Sequence, residues 1–366
     1  MKRPCPALPH ALAPLLALLC ALPLTSQAAD WQWPDTVFGG PCAGSLQACI
    51  DNAGAGDSIR IVGDEQNNPD RYTPINEDIE ITRSLNLRAA PGIDAVFAPE
   101  RSLRVNLGAG SHTVRLSDLS FRRGGVEVND LSTVDGSLID LQRLRVLELG
   151  AADQLSGACG LQVSVGGSAA RQIIIGDSVV ARGGARAGDA FGGICVTQNF
   201  SGALNVNFFR NRVLPGSGRS GFGITAFNLV GGSSARASAN RVFGPREETA
   251  LYLHTRGAGS TLRAESNLIV GGSGESFALV MNVPGGTGVI VNNSLLQGQR
   301  GLAAGGLGST QPASLRAANN LIAWQSASGV LLEAANTTNA NNLLFATGGD
   351  SWTPGPGTLN VDPQLE

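Results

Sequence analysis

The side chains best suited to chemistry gather in the segment Ala250-Leu251-Tyr252-Leu253-His254-Thr255-Arg256. Leucines at alternate positions mark a strand with one apolar side, because successive side chains of a strand point to opposite faces. Leu251 and Leu253 then face a core. Tyr252, His254 and Arg256 point outward together, about 7 Å apart from one to the next. As a catalytic set, Tyr252 or His254 would move a proton while Arg256 neutralises a carboxylate. As a binding set, the same groups suit a sugar: rings stack on pyranose faces, and amides and guanidinium groups bond hydroxyls and carboxylates.

Other chemistries are excluded by what is missing. Lys2 is the only lysine, so the chain has no Schiff-base or lysine-base catalysis beyond its first residues. No Gly-x-Ser-x-Gly elbow is present. Cys42 and Cys49 are seven apart and neither His112 nor His254 lies near a cysteine in sequence, which is the wrong spacing for zinc. No metal and no cofactor is expected.

Positioning the outward residues requires a repeat. Asn211, Asn240, Asn267, Asn293, Asn320 and Asn342 each precede a short apolar stretch, at spacings of 29, 27, 26, 27 and 22. Weaker members lie around Ser84, Asp118, Arg143 and Asp177. Each unit reads as a short strand, a turn holding the Asn, a second short strand and a Gly-rich loop such as Gly271-Gly272-Ser273-Gly274. Abundant glycine (49 residues), few aromatics (5%) and no long amphipathic helix after residue 55 agree with this. A unit this small buries its apolar side only by stacking on its neighbours, which makes a solenoid. The asparagines are expected at tight left-handed corners, with their amides hydrogen-bonded from coil to coil.

Aligning coils on these asparagines puts Thr225 and Phe227 one coil below Tyr252 and His254. Val280 and Asn282 fall one coil above, Glu333 three coils above in the same column, and Gln198 two coils below. Thr225, Phe227, Asn282 and Glu333 are therefore candidate substrate-binding residues.

The beginning of the chain reads as a leader. Lys2 and Arg3, an apolar run from Ala11 to Leu24 broken by Pro14 and Pro23, and Ser26-Gln27-Ala28 form a secretory signal peptide with cleavage after Ala28. Removing it takes away two positive charges and no negative ones, so the formal net charge moves from −3 to −5. That balance argues against a nucleic-acid partner. Of six cysteines, Cys5 and Cys20 leave with the leader. Four remain, which in an exported chain suit two disulfides with three possible connectivities. The expected pairs are Cys42 with Cys49, and Cys159 with Cys195 one enlarged coil away. The expected organisation is a leader over 1–28, an N-terminal cap with a short helix over 29–55, β-helix coils over 56–345 and a C-terminal loop over 346–366. No membrane span remains in the mature part, and the product is expected in the periplasm or secreted. An uncapped last coil would leave a sheet edge open to end-to-end self-association.

Several stretches carry a family resemblance. Ser45 to Ala53 places Leu46, Cys49, Ile50 and Ala53 on one helix face. Gly56 to Ile61 and then Ile79 to Leu87 follow as strands. Asn341-Asn342-Leu343-Leu344 with Asp362-Pro363 stands near the end. In these the chain resembles the pectate-lyase-like superfamily, and its exported bacterial members of the choice-of-anchor type. The resemblance implies a right-handed parallel β-helix with an N-terminal capping helix. Motifs of the enzymes in that group do not follow. No outward column repeats acids for a calcium site. The Asn-Thr-Asp, Asp-Asp and Gly-His-Gly motifs of polygalacturonases are absent, as is the Asp-Pro-His motif of alginate epimerases. The expectation is therefore an exported β-helix protein that binds extracellular or cell-surface polysaccharide without catalysis. The alternative is a polysaccharide lyase or epimerase acting on a uronate-containing glycan through Tyr252, His254 and Arg256.

Overall fold

Runs of alternating apolar residues, each only three to seven long, can bury one side only if the chain keeps turning back over itself. The computed structural model describes residues 28–35, 40–63, 71–147, 159–181, 192–214, 222–244, 249–271, 277–306, 310–333, 336–348 and 354–362. The leader up to Gln27, with Cys5 and Cys20, lies outside the described residues, as do residues 272–274 of the Gly-rich loop and Pro363. Strand accounts for 59% against 4% helix, and every strand pairing is parallel, which makes the chain an all-β stack of coils compatible with a β-helix.

Each coil contributes three strands where the sequence pattern suggested two. One coil runs Arg171–Gly176, Val179–Ala181 and Gly192–Gln198, and the next runs Leu204–Phe209, Arg212–Leu214 and Ile224–Leu229. Equivalent strands pair in register from coil to coil, as Ile173 with Val206, Val180 with Val213 and Ile194 with Ile224. The first strands form a 12-stranded sheet, called here the first face. The second and third strands form the second and third faces of one 20-stranded sheet, continuous because Ser294–Gly305 and Leu321–Glu333 run through the corner between them. The third strand escaped the periodicity because the segment before it varies in length. For the same reason Ile79 to Leu87 is two strands, Ile79–Ile81 on the third face and Leu85–Ala89 on the first.

The corner between first and second faces also differs from expectation. The left-handed residue is the one before each ladder asparagine: Arg210, Ala239, Ser266, Asn292, Asn319 and Asn341 all have φ between 51° and 58°. Asp118, Arg143 and Asp177 hold the same place in earlier coils, whereas Ser84 sits at a different corner. Turning the preceding residue outward aims the next side chain inward. Asn211, Asn240, Asn267, Asn293, Asn320 and Asn342 are accordingly buried. From Asn240 upward, each Oδ1 accepts from the backbone N–H and Nδ2 of the asparagine one coil below, at 2.9 to 3.1 Å. Nδ2 also donates to a backbone carbonyl of the coil below, as from Asn267 to Ala237 at 2.9 Å. Ser178 continues the column downward, its N–H donating to Asn211 Oδ1 and its hydroxyl accepting from Leu144 N–H. Outside the turn, Asp118 pairs with Arg143 and Asp177 with Arg210.

Inward residues form apolar columns, such as Leu87, Leu116, Leu141, Ile175 and Phe208 on the first face. One polar pair is buried among them. Arg171 donates from Nε to Asp130 at 2.7 Å, with both side chains wholly buried, and its other nitrogens donate to Ala169, Gly167 and Ser132 carbonyls.

The helix Leu46–Asn52 is capped by Ser45, whose hydroxyl accepts from Ala48 N–H at 3.1 Å. It buries Leu46, Cys49 and Ile50, and Gln47 exchanges two hydrogen bonds with the backbone of Glu80. Both expected disulfides are present, Cys42 with Cys49 and Cys159 with Cys195, at Cα separations of 4.3 and 6.0 Å. Near the other end Leu359–Asn360 pairs with Leu343–Thr347, adding a short rung over the last coil. No helix among the described residues is long and apolar enough to cross a membrane.

Candidate functional site

The third face carries the candidate site. In the strand Leu251–Thr255, Leu251, Leu253 and Thr255 are buried in the core while Tyr252 and His254 lie half-buried on the outer side. Parity therefore placed them as expected, and Arg256 follows, exposed, just past the strand. Register puts Tyr252 between Thr225 below and Val280 above, and His254 beside Asn282 above. The backbone of Glu333 continues the His254 column through Asn282 and Gly305; its side chain lies outside the described residues, as do residues 246–248.

Four rings meet here. Phe227 stacks on His254 at 5.0 Å between centroids and Tyr252 on His254 at 5.8 Å. Phe227 tilts toward Tyr252 at 5.9 Å, and Phe222 stacks on Tyr252 at 5.3 Å with 13° between planes. Phe222 was not anticipated. It precedes the strand Ile224–Leu229, so alternation says nothing about where it points. Rings that stack along the coils spend much of their faces on one another and offer a ligand mainly their edges.

A bulge shapes the rest. Register slips between Ala226 and Leu229, where Asn228 has φ 60°. The Asn228 N–H donates to His254 Nδ1 at 3.2 Å, and Arg256 Nε donates to the Asn228 carbonyl at 3.2 Å. Two of the three candidate catalytic side chains thus hold one bulged peptide. Nδ1 being an acceptor, the neutral ring carries its proton on Nε2. Burial, and after it the nearby Arg256, holds the imidazole below its ordinary value. Burial pushes the Tyr252 phenol up. Near neutral pH both groups present donors to a ligand.

The remaining expected residues are placed less favourably. Thr225 has outward parity but is buried beneath its neighbours, 3% exposed. Gln198 faces inward, fully buried, donating to the Gly202 carbonyl and accepting from Val230 N–H at 2.9 Å; Thr197 takes the outward position opposite Phe227. Asn282 is half-buried, and its Oδ1 is shut off from solvent with no hydrogen-bond partner among the described residues, so it is not an open acceptor for a ligand.

Below the rings the same face is polar and bonded to itself. Asn129 donates to Asn106 at 3.1 Å, Asn106 to Glu80 at 2.8 Å, and Gln162 to Ser164 at 3.2 Å. Glu80 and Glu127 share a column with Arg104 between them, so the acids alternate with a cation. Cys195 stands in this column between Gln162 and Thr225. Its disulfide overlies Gly192, where a Cβ would meet both sulfurs at 2.5 and 2.7 Å. Among the described residues no group of three or more His, Cys, Asp or Glu side chains stands together. In comparisons with known proteins, no family model, no curated protein and no solved structure matches this chain.

Proposed function

We propose that this chain is an exported, right-handed parallel β-helix protein of the pectate-lyase-like kind that binds extracellular or cell-surface polysaccharide on its third face without catalysis. The observation that carries the reading is the hydrogen bond from Asn228 N–H to His254 Nδ1. It fixes the imidazole as an Nε2–H donor, and the raised Tyr252 phenol is likewise a donor. A lyase or epimerase needs one of these groups as a base in the resting state; a sugar hydroxyl or ring oxygen needs only donors and apolar ring edges.

The right hand follows the preference of parallel crossovers within one sheet, about 98% of cases. The helix Leu46–Asn52 serves as cap, with its apolar face over the first coil. Two disulfides fit a compartment outside the cytoplasm, periplasmic or secreted. Exposed Leu359 and Val361 make the C-terminal coil the place for end-to-end self-association.

Titrating the purified protein with neutral and uronate polysaccharides tests the function. Binding that Tyr252→Ala abolishes, with no unsaturated product in the ultraviolet, supports it. Product release that depends on His254 overturns it in favour of a lyase.

A further inference from the structure

The first face carries a second cluster, remote in sequence from the rings. Arg60 and Arg88 are register partners on adjacent coils, one rung or about 4.8 Å apart. Each lies between inward residues, Ile59 and Ile61 for one, Leu87 and Ala89 for the other, so both point outward. Arg115 is the partner of Asn86 one coil further on. Together with the segment Ala89 to Ile93 and the corner residues Asp118 and Arg143, they line a cleft of about 650 Å³.

The charges in this cleft do not cancel. Arg143 is satisfied by Asp118, with Nε and Nη2 donating to its two oxygens at 2.6 and 2.8 Å. Arg115 stands 3.9 Å from Asp140, at the edge of ion pairing. Arg60 and Arg88 form no ion pair among the described residues, and Arg60 Nε is buried without a hydrogen-bond partner. Four guanidinium groups against two carboxylates leave the cleft at +2 in a chain whose formal charge is −3. Like charges on neighbouring rungs repel, and an oxyanion between them reverses the sign of that interaction. A concave site of one sign also concentrates counter-ions, and the planar guanidinium fork matches carboxylate and sulfate geometry.

The volume is far larger than one oxyanion and falls within the range of small-ligand sites. Asn86 donates one amide hydrogen to the Ser58 hydroxyl at 3.1 Å, and its carbonyl oxygen is an acceptor for hydroxyls. The wall from Ala89 to Ile93 is largely apolar. We propose that this cleft is a second ligand site, for a saccharide bearing carboxylate or sulfate groups held by Arg60, Arg88 and Arg115. It stands on a different face from the ring cluster and does not depend on that cluster binding anything.

The test is calorimetric titration of the full protein with an oligogalacturonate and with a dextran sulfate oligomer, at low and near-physiological salt. The expected result is salt-sensitive binding of at least one, the preferred oligomer telling carboxylate from sulfate. The double variant Arg60→Gln/Arg88→Gln weakens it at least tenfold and Arg115→Gln several-fold. Arg316→Gln, in the column of Arg115 but seven coils away, leaves it unchanged, and Tyr252→Ala retains the arginine-dependent part. Should the double variant fail to fold, Arg115→Gln alone decides. No binding of either oligomer, equal weakening by Arg316→Gln, or equally tight binding of a single-stranded oligonucleotide would overturn the assignment.

Discussion

The imidazole of His254 accepts a hydrogen bond from a peptide N–H and lies half-buried against two rings, so protonating it breaks an interaction and adds charge to a poorly solvated place. Its folded pKa lies below 6.5 while the unfolded chain titrates at 6.5. Between those values the unfolded state holds more protons, and stability rises with pH. The protein is therefore expected to lose melting temperature as pH falls below about 6.5, and His254→Gln to flatten that part of the profile. A His254→Gln profile as steep as the parent's would refute the linkage. Tyr252→Phe keeps the stack and removes one donor; about 1 kcal/mol of binding, near fivefold, is expected to go with it, whereas Tyr252→Ala also dismantles ring contacts worth about 0.5–1.5 kcal/mol each. The outward direction of both residues was legible from Leu251 and Leu253 alone. The bulge at Asn228 was not, because it is a slip in register between two strands one coil apart.

Among the elements, the corner between the first and second faces buries an unbroken column of polar side chains, Ser178 and the six ladder asparagines. Asn267 donates from its backbone N–H and Nδ2 to Asn293 Oδ1 and from Nδ2 to the Ala237 carbonyl, and its Oδ1 accepts from the backbone N–H and Nδ2 of Asn240. Asn267→Leu orphans several of these partners at about 1–3 kcal/mol apiece. Asn52→Leu removes one exposed bond to Ala48 within the helix. Thermal melts should separate the two by many degrees, and equal melting would exclude a ladder. One residue before Asn240, Ala239 bears φ 55°, where asparagine is tolerated better than alanine. Ala239→Asn should raise stability slightly, by about 0.5–1 kcal/mol. Asp130→Ala leaves the buried Arg171 guanidinium without its carboxylate, at about 3–5 kcal/mol, readable as a drop in denaturation midpoint. The asparagine period was plain in sequence. The left-handed φ falls one residue before each asparagine; periodicity locates a turn but not which of its residues carries the unusual φ.

For the molecule as a whole, stacking makes each coil answer mainly to its neighbours. Residues 240–266 contain one strand of each face, Arg241–Phe243, Leu251–Thr255 and Thr261–Glu265, and their removal joins Ala239 to Asn267 with the ladder in phase. That deletion should fold, with strand-dominated dichroism and a lower melting point, yet lose the ring cluster. Removing 240–252, about half a coil, should abolish cooperative melting. If the two deletions behave alike, the coils are not interchangeable units. The all-β class, the coil length, both disulfide pairs and the outward face of Tyr252 and His254 follow from sequence alone, because period, alternation and spacing are properties of neighbouring residues. Tertiary structure alone decided the third strand of each coil, the burial of Thr225 and Gln198, the Asn228 bulge and the meeting of Arg60, Arg88 and Arg115. These depend on how far the chain travels between coils before it returns, a length that varies from loop to loop and sets which distant residues become neighbours.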